Sequence, residues 1–243
     1  VFLAVIHNFL NHPENFKKGL QLLWVTPLRS LSKDIAKAMQ TAINEIGLDW
    51  TVGVRNGDIS ASEKQKQTKN MPEILVVTPE SLHLLLAQKS KTKFFENLQC
   101  VAVDEWHELL SSKRGVMVEL ALSHLRSISK NLKIWGLTAT IGNLEEALDV
   151  LVPYETPKKI VLAKEKKKIE ILSVLPDELE LLPWAGHMGS KMTEKILPII
   201  DQSKTTLIFT NTRNQAENWY QNLLAANPDL AGQIKLHHSS IDF

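Results

Sequence analysis

The feature that most constrains the fold is an alternation of short apolar runs with segments of helical periodicity. Strands are predicted at residues 20–25, 50–54, 74–77, 100–103 and 133–137, and helices at 1–10, 27–46, from 79 onwards, around 116–128 and at 144–151. A strong turn signal at 55–58 precedes a lysine-rich stretch that is predicted to be a loop or short helix. Alternation of this kind is typical of a parallel sheet with helices on both faces. We therefore predict an α/β fold class.

Two helices are predicted to begin at a Thr-Pro pair, Thr26-Pro27 and Thr78-Pro79. Threonine is a favoured N-cap, and proline is favoured at the first helical position. The free N–H groups of a helix N-terminus also bind phosphate oxygens. Capping alone explains either pair. The presence of two such Thr-Pro pairs at the ends of parallel strands favours a surface that contacts phosphate or nucleic acid.

The fourth predicted strand runs directly into Asp-Glu-Trp-His at residues 104–107, called the acidic segment below. The carboxyl ends of parallel strands face the crevice in which ligands bind in open α/β folds. There, Asp104 can hold Mg²⁺ and Glu105 can orient or deprotonate an attacking water, which suits nucleotide hydrolysis. A solvated acidic turn after an ordinary strand would show the same two residues, so the pair alone does not decide between the two interpretations.

A second, shorter α/β unit is predicted after a hinge. The predicted limits are 1–153 for the first domain, 154–157 for the hinge and 158–243 for the second domain. Strands are predicted within 158–175, at 205–209 and at 233–238. Helices are predicted at 188–200 and from the N-cap Asn211 to about residue 226. The lysine cluster near 164–168 is interpreted as a solvated edge.

Composition excludes several classes of protein. The 243 residues carry a formal net charge of only +1, so any nucleic-acid surface must be a local patch. The single cysteine, Cys100, excludes a disulfide framework and indicates a reducing compartment, which we expect to be the cytoplasm. No uncharged apolar run reaches the roughly 18 residues that span a bilayer, so we expect no membrane partner.

In order and spacing, these motifs resemble those of superfamily 2 helicases. The acidic segment resembles the DExH form of motif II, and Thr138-Ala139-Thr140 resembles motif III. Residues 26–29 resemble motif Ia, and residues 78–82 resemble motif Ib. Residues 207–213 resemble motif IV, and residues 237–240 resemble the segment that follows it. The Trp-His pair, the run 136–142 and the run His-His-Ser-Ser are similar to the large helicase-related (Lhr) group. Within that group we favour the bacterial branch associated with DNA ligase.

The resemblance implies a role for each matching residue. Asp104 would position Mg²⁺ on the phosphates of ATP, and Glu105 would activate water. His107 would act with Thr138, Ala139 and Thr140 to couple the nucleotide site to the nucleic acid, whereas Trp106 is predicted to be a packing residue. The residues implied to line the nucleic-acid track are Thr26, Pro27, Arg29, Arg55, Asp58, Thr78, Pro79, Phe209, Thr210, Asn211, His238 and Ser239.

The resemblance also implies two RecA-like domains, the first nearly complete and the second truncated. The expected function is that of an ATP-dependent DNA helicase or translocase acting in DNA repair. It would move on single-stranded or partly duplex DNA with 3′ to 5′ polarity, with ATP and Mg²⁺ as cofactors. A ligase or a nuclease is the kind of protein partner that the resemblance implies.

A P-loop of the form Gly-x-x-x-x-Gly-Lys-Ser/Thr is missing, because none of the ten glycines is followed by lysine. We expect the chain to begin just after such a loop and motifs V and VI to lie beyond Phe243, so that the chain alone would not turn over ATP. Two alternatives stay open. An RNA helicase would share every motif quoted, and a catalytically inactive RecA-like scaffold that binds nucleic acid would lack the P-loop.

Overall fold

The computed structural model describes residues 1–139, 141–152, 156–162, 168–175 and 192–238. The chain divides into two compact units, Val1–Val161 and Leu162–Phe243, which are described separately. The domain limits predicted from the sequence, with a hinge at 154–157, remain predictions.

The first unit is built on a sheet of five strands. They are β1 (Leu22–Val25), β2 (Val52–Arg55), β3 (Ile74–Val77), β4 (Cys100–Val103) and β5 (Lys133–Gly136). Their order in the sheet is β2-β3-β1-β4-β5, and every neighbouring pair is parallel. The predicted α/β fold with a parallel sheet is confirmed.

Helices cover both faces of this sheet. In chain order they are α1 (Phe2–Asn11), α2 (Arg29–Glu45), α3 (Ala61–Lys69), α4 (Pro79–Leu86), α5 (Trp106–Leu109), α6 (Lys113–Ile128) and α7 (Leu144–Leu151), with 3-10 helices at Pro13–Asn15 and Lys89–Phe95. The first two helices pack on one face, and α4 to α7 pack on the other. Among the described helices, none has both the length and the apolar composition that a bilayer crossing requires.

The β4 strand is buried on both faces. Cys100 and Ala102 pack with α1 and α2, whereas Val101 and Val103 pack with α4 and α6. A wholly apolar run is what a strand covered on both sides requires. Each fully buried valine side chain contributes about 1.5–3 kcal/mol relative to an exposed one. The strand that leads to Asp104 is therefore firmly held.

The buried position of Cys100 gives a direct test of this core. Burial raises the pKa of its thiol to about 12, against the smaller opposing effects of the N-terminal amino group and Lys133. Because only the thiolate reacts readily, we expect the native protein to resist a thiol reagent at about pH 8 and the denatured protein to react at once. The rate of labelling with and without denaturant measures this. Equal rates in the two states would contradict the buried position.

The helix after β1 begins later than predicted. The α2 helix starts at Arg29 with Leu28 as its N-cap, so Thr26 is not a cap and Pro27 is not the first helical residue. The reason is that the Thr26 N–H donates to the Val77 carbonyl at 3.0 Å and continues the sheet beyond β1. By contrast, α4 begins at Pro79 after Thr78, as predicted.

The second unit contains two helices that pack on each other, α8 (Thr193–Asp201) and α9 (Arg213–Ala226), followed by a 3-10 helix at Pro228–Leu230. The predicted N-cap of α9, Asn211, is wrong. Thr212 is the N-cap, and its Oγ1 accepts a hydrogen bond from the Gln215 N–H at 3.2 Å. The cap must reach the N2 or N3 amide, and the helix begins one residue later than the pattern suggested.

The strands predicted for the second unit are wrong wherever the structure describes them. Residues 158–162, 168–175, 205–209 and 234–238 form no strand. A strand requires a hydrogen-bonded neighbour, and none of these segments pairs with a described one. Phe209 is 89% exposed, so the apolar character of its segment does not reflect burial here. Residues 163–167, which these strand predictions also included, lie outside the described part of the chain, as do residues 188–191 at the start of the predicted helix 188–200.

Candidate nucleotide and nucleic-acid site

The carboxyl ends of the five strands lie in register at one edge of the sheet. Val25 of β1 is level with Val77 of β3 and Val103 of β4, and Val103 is level with Gly136 of β5. From β1 the chain passes to β2 and then β3 on one side of β1, and it later crosses to β4 on the other side. The crevice between β1 and β4 is therefore the switch point at which open α/β sheets bind ligands.

Asp104 lies at this switch point, directly after β4. Its N–H donates to the Val25 carbonyl at 2.8 Å. Its carboxylate accepts two hydrogen bonds, from the Trp24 indole to Oδ2 at 3.3 Å and from the Glu105 N–H to Oδ1 at 3.1 Å. These bonds orient the carboxylate and leave lone pairs on both oxygens for a cation. Trp24 was not among the predicted site residues, because the apolar run of β1 does not show that its indole faces Asp104.

Glu105 has a left-handed backbone conformation, with φ of 48° and ψ of 46°. Such a conformation costs a residue other than glycine about 1–3 kcal/mol. The next residue holds the turn: the Trp106 N–H donates to the Leu137 carbonyl, and the Trp106 indole donates to the Ala147 carbonyl, both at 2.9 Å. Trp106 is buried, which confirms it as a packing residue. The Glu105 side chain remains 39% exposed and accessible to solvent.

His107 joins the acidic segment to the loop after β5. Its Nδ1 lies 3.1 Å from Thr138 Oγ1 and 3.5 Å from Glu105 Oε2. On the other side of the ring, Nε2 lies 3.6 Å from Glu108 Oε1. The structure thus brings three of the predicted residues together, Glu105, His107 and Thr138. Ala139 follows in the same loop, and Thr140 lies outside the described residues.

The loops after β1 and β2 contact each other through Arg29. Its Nη1 lies 3.7 Å from Asp58 Oδ1, and the two side chains are 59% and 54% exposed. The backbone of Gly57 is so close that a Cβ there would lie 3.2 Å from the Arg29 Cζ. Arg29 and Asp58 therefore form one exposed surface at the carboxyl edge of the sheet.

Other predicted nucleic-acid residues of the first unit are buried. The group comprises Thr26, Pro27, Arg55, Thr78 and Pro79. Arg55 is 7% exposed, and its Nη1 donates to the Lys64 carbonyl and to Gln67 Oε1, both at 3.4 Å. Burial lowers the pKa of Arg55. In this structure these residues support the loops from within, whereas the side chains of Arg29 and Asp58 face the solvent.

The predicted residues of the second unit lie before and after α9. Thr210 Oγ1 donates to the Thr212 carbonyl at 3.1 Å, and the Asn211 N–H donates to Gln215 Oε1 at 3.2 Å. Phe209, just before them, is almost fully exposed. His238 Nε2 lies 3.2 Å from Glu217 Oε1 of α9. Ser239 lies outside the described residues.

Comparison with known proteins adds to this geometry. Residues 1–147 match the DEAD/DEAH box helicase family. The chain belongs to this family. It is 33% identical to ATP-dependent helicase Lhr-Core protein 2 of Thermococcus barophilus and 33% identical to ATP-dependent helicase Lhr-Core of Methanocaldococcus jannaschii, over 99% of the chain in each case. The chain spans only 30% and 29% of the length of these relatives.

The helicase chain is also similar to a solved structure, that of Mycobacterium smegmatis helicase Lhr bound to ssDNA and AMP-PNP. The TM-score is 0.69 at 27% identity, and the match covers 98% of this chain and 33% of that one. The resemblance to the Lhr group and the RecA-like fold of the first domain are confirmed. The bacterial branch associated with DNA ligase and the RecA-like nature of the second domain stay predictions.

One charged residue of this helicase chain was not predicted, although it bridges the loop after β1 and the first turn of α4. Arg114 lies in the first turn of α6, where its Nε donates to Glu80 Oε1 at 2.6 Å and its Nη2 donates to the Pro27 carbonyl at 2.9 Å. Its partners are 34 and 87 positions away along the chain, and no quoted motif contains it. The one local signal is an arginine followed by Gly115 soon after the acidic segment.

Proposed function

We propose that this chain is the core of an ATP-dependent helicase that couples hydrolysis of Mg-ATP to movement along single-stranded DNA. The observation that carries the proposal is the contact of His107 with Thr138, because it links the acidic segment to the loop after the neighbouring strand. Membership of the DEAD/DEAH box family supports it. The Lhr relative whose structure holds ssDNA and AMP-PNP also supports it.

Mg-ATP fits the acidic end of β4. Mg²⁺ prefers oxygen ligands, usually one or two carboxylates together with phosphate oxygens. We assign Asp104 as the carboxylate that holds Mg²⁺, since two N–H donors fix its orientation without using all its lone pairs. Bound Mg-ATP would supply the phosphoanhydride bond that is broken.

Glu105 is the proposed general base. A base must come within hydrogen-bonding distance of the water that it deprotonates. The left-handed turn directs the chain away from β4 immediately after Asp104, and the partly exposed carboxylate of Glu105 is open to solvent. The two adjacent carboxylates, which have different surroundings, can then take different roles: Asp104 holds the cation and Glu105 accepts the proton.

The nucleic-acid surface of the first unit would centre on Arg29. The N-cap of α2, Leu28, provides no side-chain cap, so phosphate oxygens can reach the free amides of the first turn beside an arginine. Contacts with phosphates track a strand without reading its sequence. Thr26, Pro27, Arg55, Asp58, Thr78 and Pro79 would shape these loops. Phe209, Thr210, Asn211, His238 and Ser239 are the contacts proposed for the second unit.

Replacement of His107 by alanine is predicted to uncouple hydrolysis from movement. Strand release per ATP hydrolysed should fall about tenfold, within the usual range of coupling energies, because the link between Glu105 and Thr138 is lost. Parallel assays of ATP hydrolysis and strand displacement measure this ratio. His124→Ala, an exposed histidine of α6, is the matched control and should leave it unchanged. An unchanged ratio for His107→Ala would count against coupling by this residue.

ATP hydrolysis by the complete protein tests the proposed function. It is measured without nucleic acid, with single-stranded DNA and with single-stranded RNA of the same sequence. We expect stimulation by DNA. Stimulation by RNA alone would favour the RNA helicase alternative, in which the 2′-OH matters. No hydrolysis of ATP under any of the three conditions would favour the inactive scaffold. A role in DNA repair, with a ligase or nuclease as partner, rests on the Lhr resemblance.

A further inference from the structure

We propose that Arg114 is a positioning residue that holds the loop after β1 to the first turn of α4, which follows β3, and thereby sets the affinity for single-stranded nucleic acid. The inference rests on the proposed function, since it assigns Arg114 to the same nucleic-acid surface. It goes beyond that function because Arg114 lies outside every motif that the resemblance matches.

The start of α6 is built to place Arg114. The Ser112 hydroxyl donates to the Leu109 carbonyl at 2.6 Å and accepts from the Gly115 N–H at 3.1 Å. Ser111 has a left-handed φ of 59°. A Cβ on Gly115 would lie only 2.2 Å from the Leu109 carbonyl oxygen, so only glycine permits this approach. The first turn of α6 is therefore fixed against α5, the helix that continues the acidic segment.

The guanidinium of Arg114 joins the loop after β1 to the first turn of α4. Its Nε and Nη2 donate to the two carboxylate oxygens of Glu80, at 2.6 and 3.4 Å, and Nη2 also donates to the Pro27 carbonyl at 2.9 Å. Glu80 is two residues after Thr78, and Pro27 is two residues before Arg29. The planar fork of arginine can make these bonds together, whereas lysine offers a single ammonium group.

The pairing with Glu80 is maintained at neutral pH. Burial alone would raise the pKa of Glu80, but the hydrogen bond and charge of Arg114, together with bonds from its own backbone and Thr78, bring it below its ordinary value. The side chains of Arg114 and Glu80 are both partly exposed. Exposed pairs of this kind contribute little to folding stability, so their loss should not unfold the domain.

The DNA affinity of Glu80→Gln distinguishes a positioning role of Arg114 from a direct contact between Arg114 and phosphate. If Arg114 bound phosphate itself, Glu80→Gln would release its charge and tighten binding. If Arg114 acts by holding the loop after β1 to α4, Glu80→Gln weakens that connection and lowers the affinity for the strand. The bonds to Glu80 and to a backbone carbonyl favour positioning, because Arg114 already uses Nε and Nη2 within the protein.

The test uses the complete protein and a fluorescent oligo-dT strand. Dissociation constants are measured for the wild type, Arg114→Gln, Arg114→Lys and Glu80→Gln, together with the affinity for a fluorescent ATP analogue without DNA. We expect DNA affinity to fall at least ~10-fold in Arg114→Gln, less in Arg114→Lys and at least ~3-fold in Glu80→Gln, typical of sites coupled through a positioned element. Affinity for the ATP analogue should stay unchanged. Lys113→Gln, which removes the same charge from the adjacent exposed residue, should have little effect.

Three results would overturn the inference. The first is that Arg114→Gln binds DNA as tightly as the wild type does, and the second is that Glu80→Gln binds it more tightly. The third is that the Arg114 variants lose ATP affinity, DNA affinity and thermal stability in parallel, as variants of a merely structural residue would. Failure of the proposed function itself looks different. In that case the wild-type protein would bind no single-stranded DNA, and the inference would fall with it, or it would bind DNA without hydrolysing ATP, and the effect of Arg114 on DNA affinity would persist.

Discussion

Glu105→Gln is expected to lower the DNA-stimulated rate of ATP hydrolysis by at least ~10²-fold, the usual effect of losing a general base. An amide cannot accept the proton of the attacking water, although it keeps the shape of the side chain. The backbone of the turn is held by Trp106, whose bonds to the Leu137 and Ala147 carbonyls do not involve the Glu105 carboxylate. Affinities for ATP and for single-stranded DNA should therefore change little.

Steady-state hydrolysis at saturating DNA measures the loss. Glu108→Gln is the matched control, because Glu108 is also a carboxylate beside His107, with Oε1 at 3.6 Å from Nε2, but lies on α5 beyond the turn. It should retain most of the activity. An equal loss in both variants would indicate a shared electrostatic effect, and an active Glu105→Gln variant would refute the assignment of the base.

Gly115→Ala is expected to have the largest effect on stability. The new Cβ would lie 2.2 Å from the Leu109 carbonyl oxygen and 2.9 Å from the Leu109 carbonyl carbon, and a backbone cannot yield as a flexible side chain does. Overpacking costs about 1–3 kcal/mol and occasionally more. Because α5 carries the buried residues Trp106 and Leu109, separating α5 from α6 disturbs the core as well.

Denaturant unfolding compares this variant with the wild type, and the free energy of unfolding should fall by about 1–3 kcal/mol or more. Gly142→Ala is the control, since nothing lies within 4 Å of a Cβ there and its φ is not in the left-handed region. The free energy of unfolding of Gly142→Ala should stay within about 0.5 kcal/mol of the wild-type value. An unchanged midpoint for Gly115→Ala would mean that the start of α6 is looser than the structure shows.

The sheet could be predicted from the sequence because its signals are local. The three central strands, β1, β3 and β4, are short apolar runs, and the β3 and β4 runs are buried along their whole length. A parallel register then follows from the alternation with helices. It also places Asp104 at the carboxyl edge, because Asp104 is the first residue beyond β4.

Contacts between distant residues could not be predicted in this way. Trp24 and Asp104 are 80 positions apart, and Arg114 and Pro27 are 87 apart, so only the folded sheet brings them together. The prediction that Thr26 caps α2 failed for the same reason, because a hydrogen bond from Thr26 to β3 outweighs the local preference for a cap. In the second unit, a short apolar run ending at Phe209 predicted a strand without any information about the neighbour that a strand needs.

Strand release from tailed duplexes tests the central claim most directly. The complete protein is incubated with duplexes that carry a single-stranded 3′ or 5′ tail, with ATP and Mg²⁺ or with a non-hydrolysable analogue. We predict release from the 3′-tailed duplex with ATP only, and loss of that release in Glu105→Gln. No release with ATP from either duplex, or equal release with the analogue, would contradict a motor driven by hydrolysis at the acidic segment.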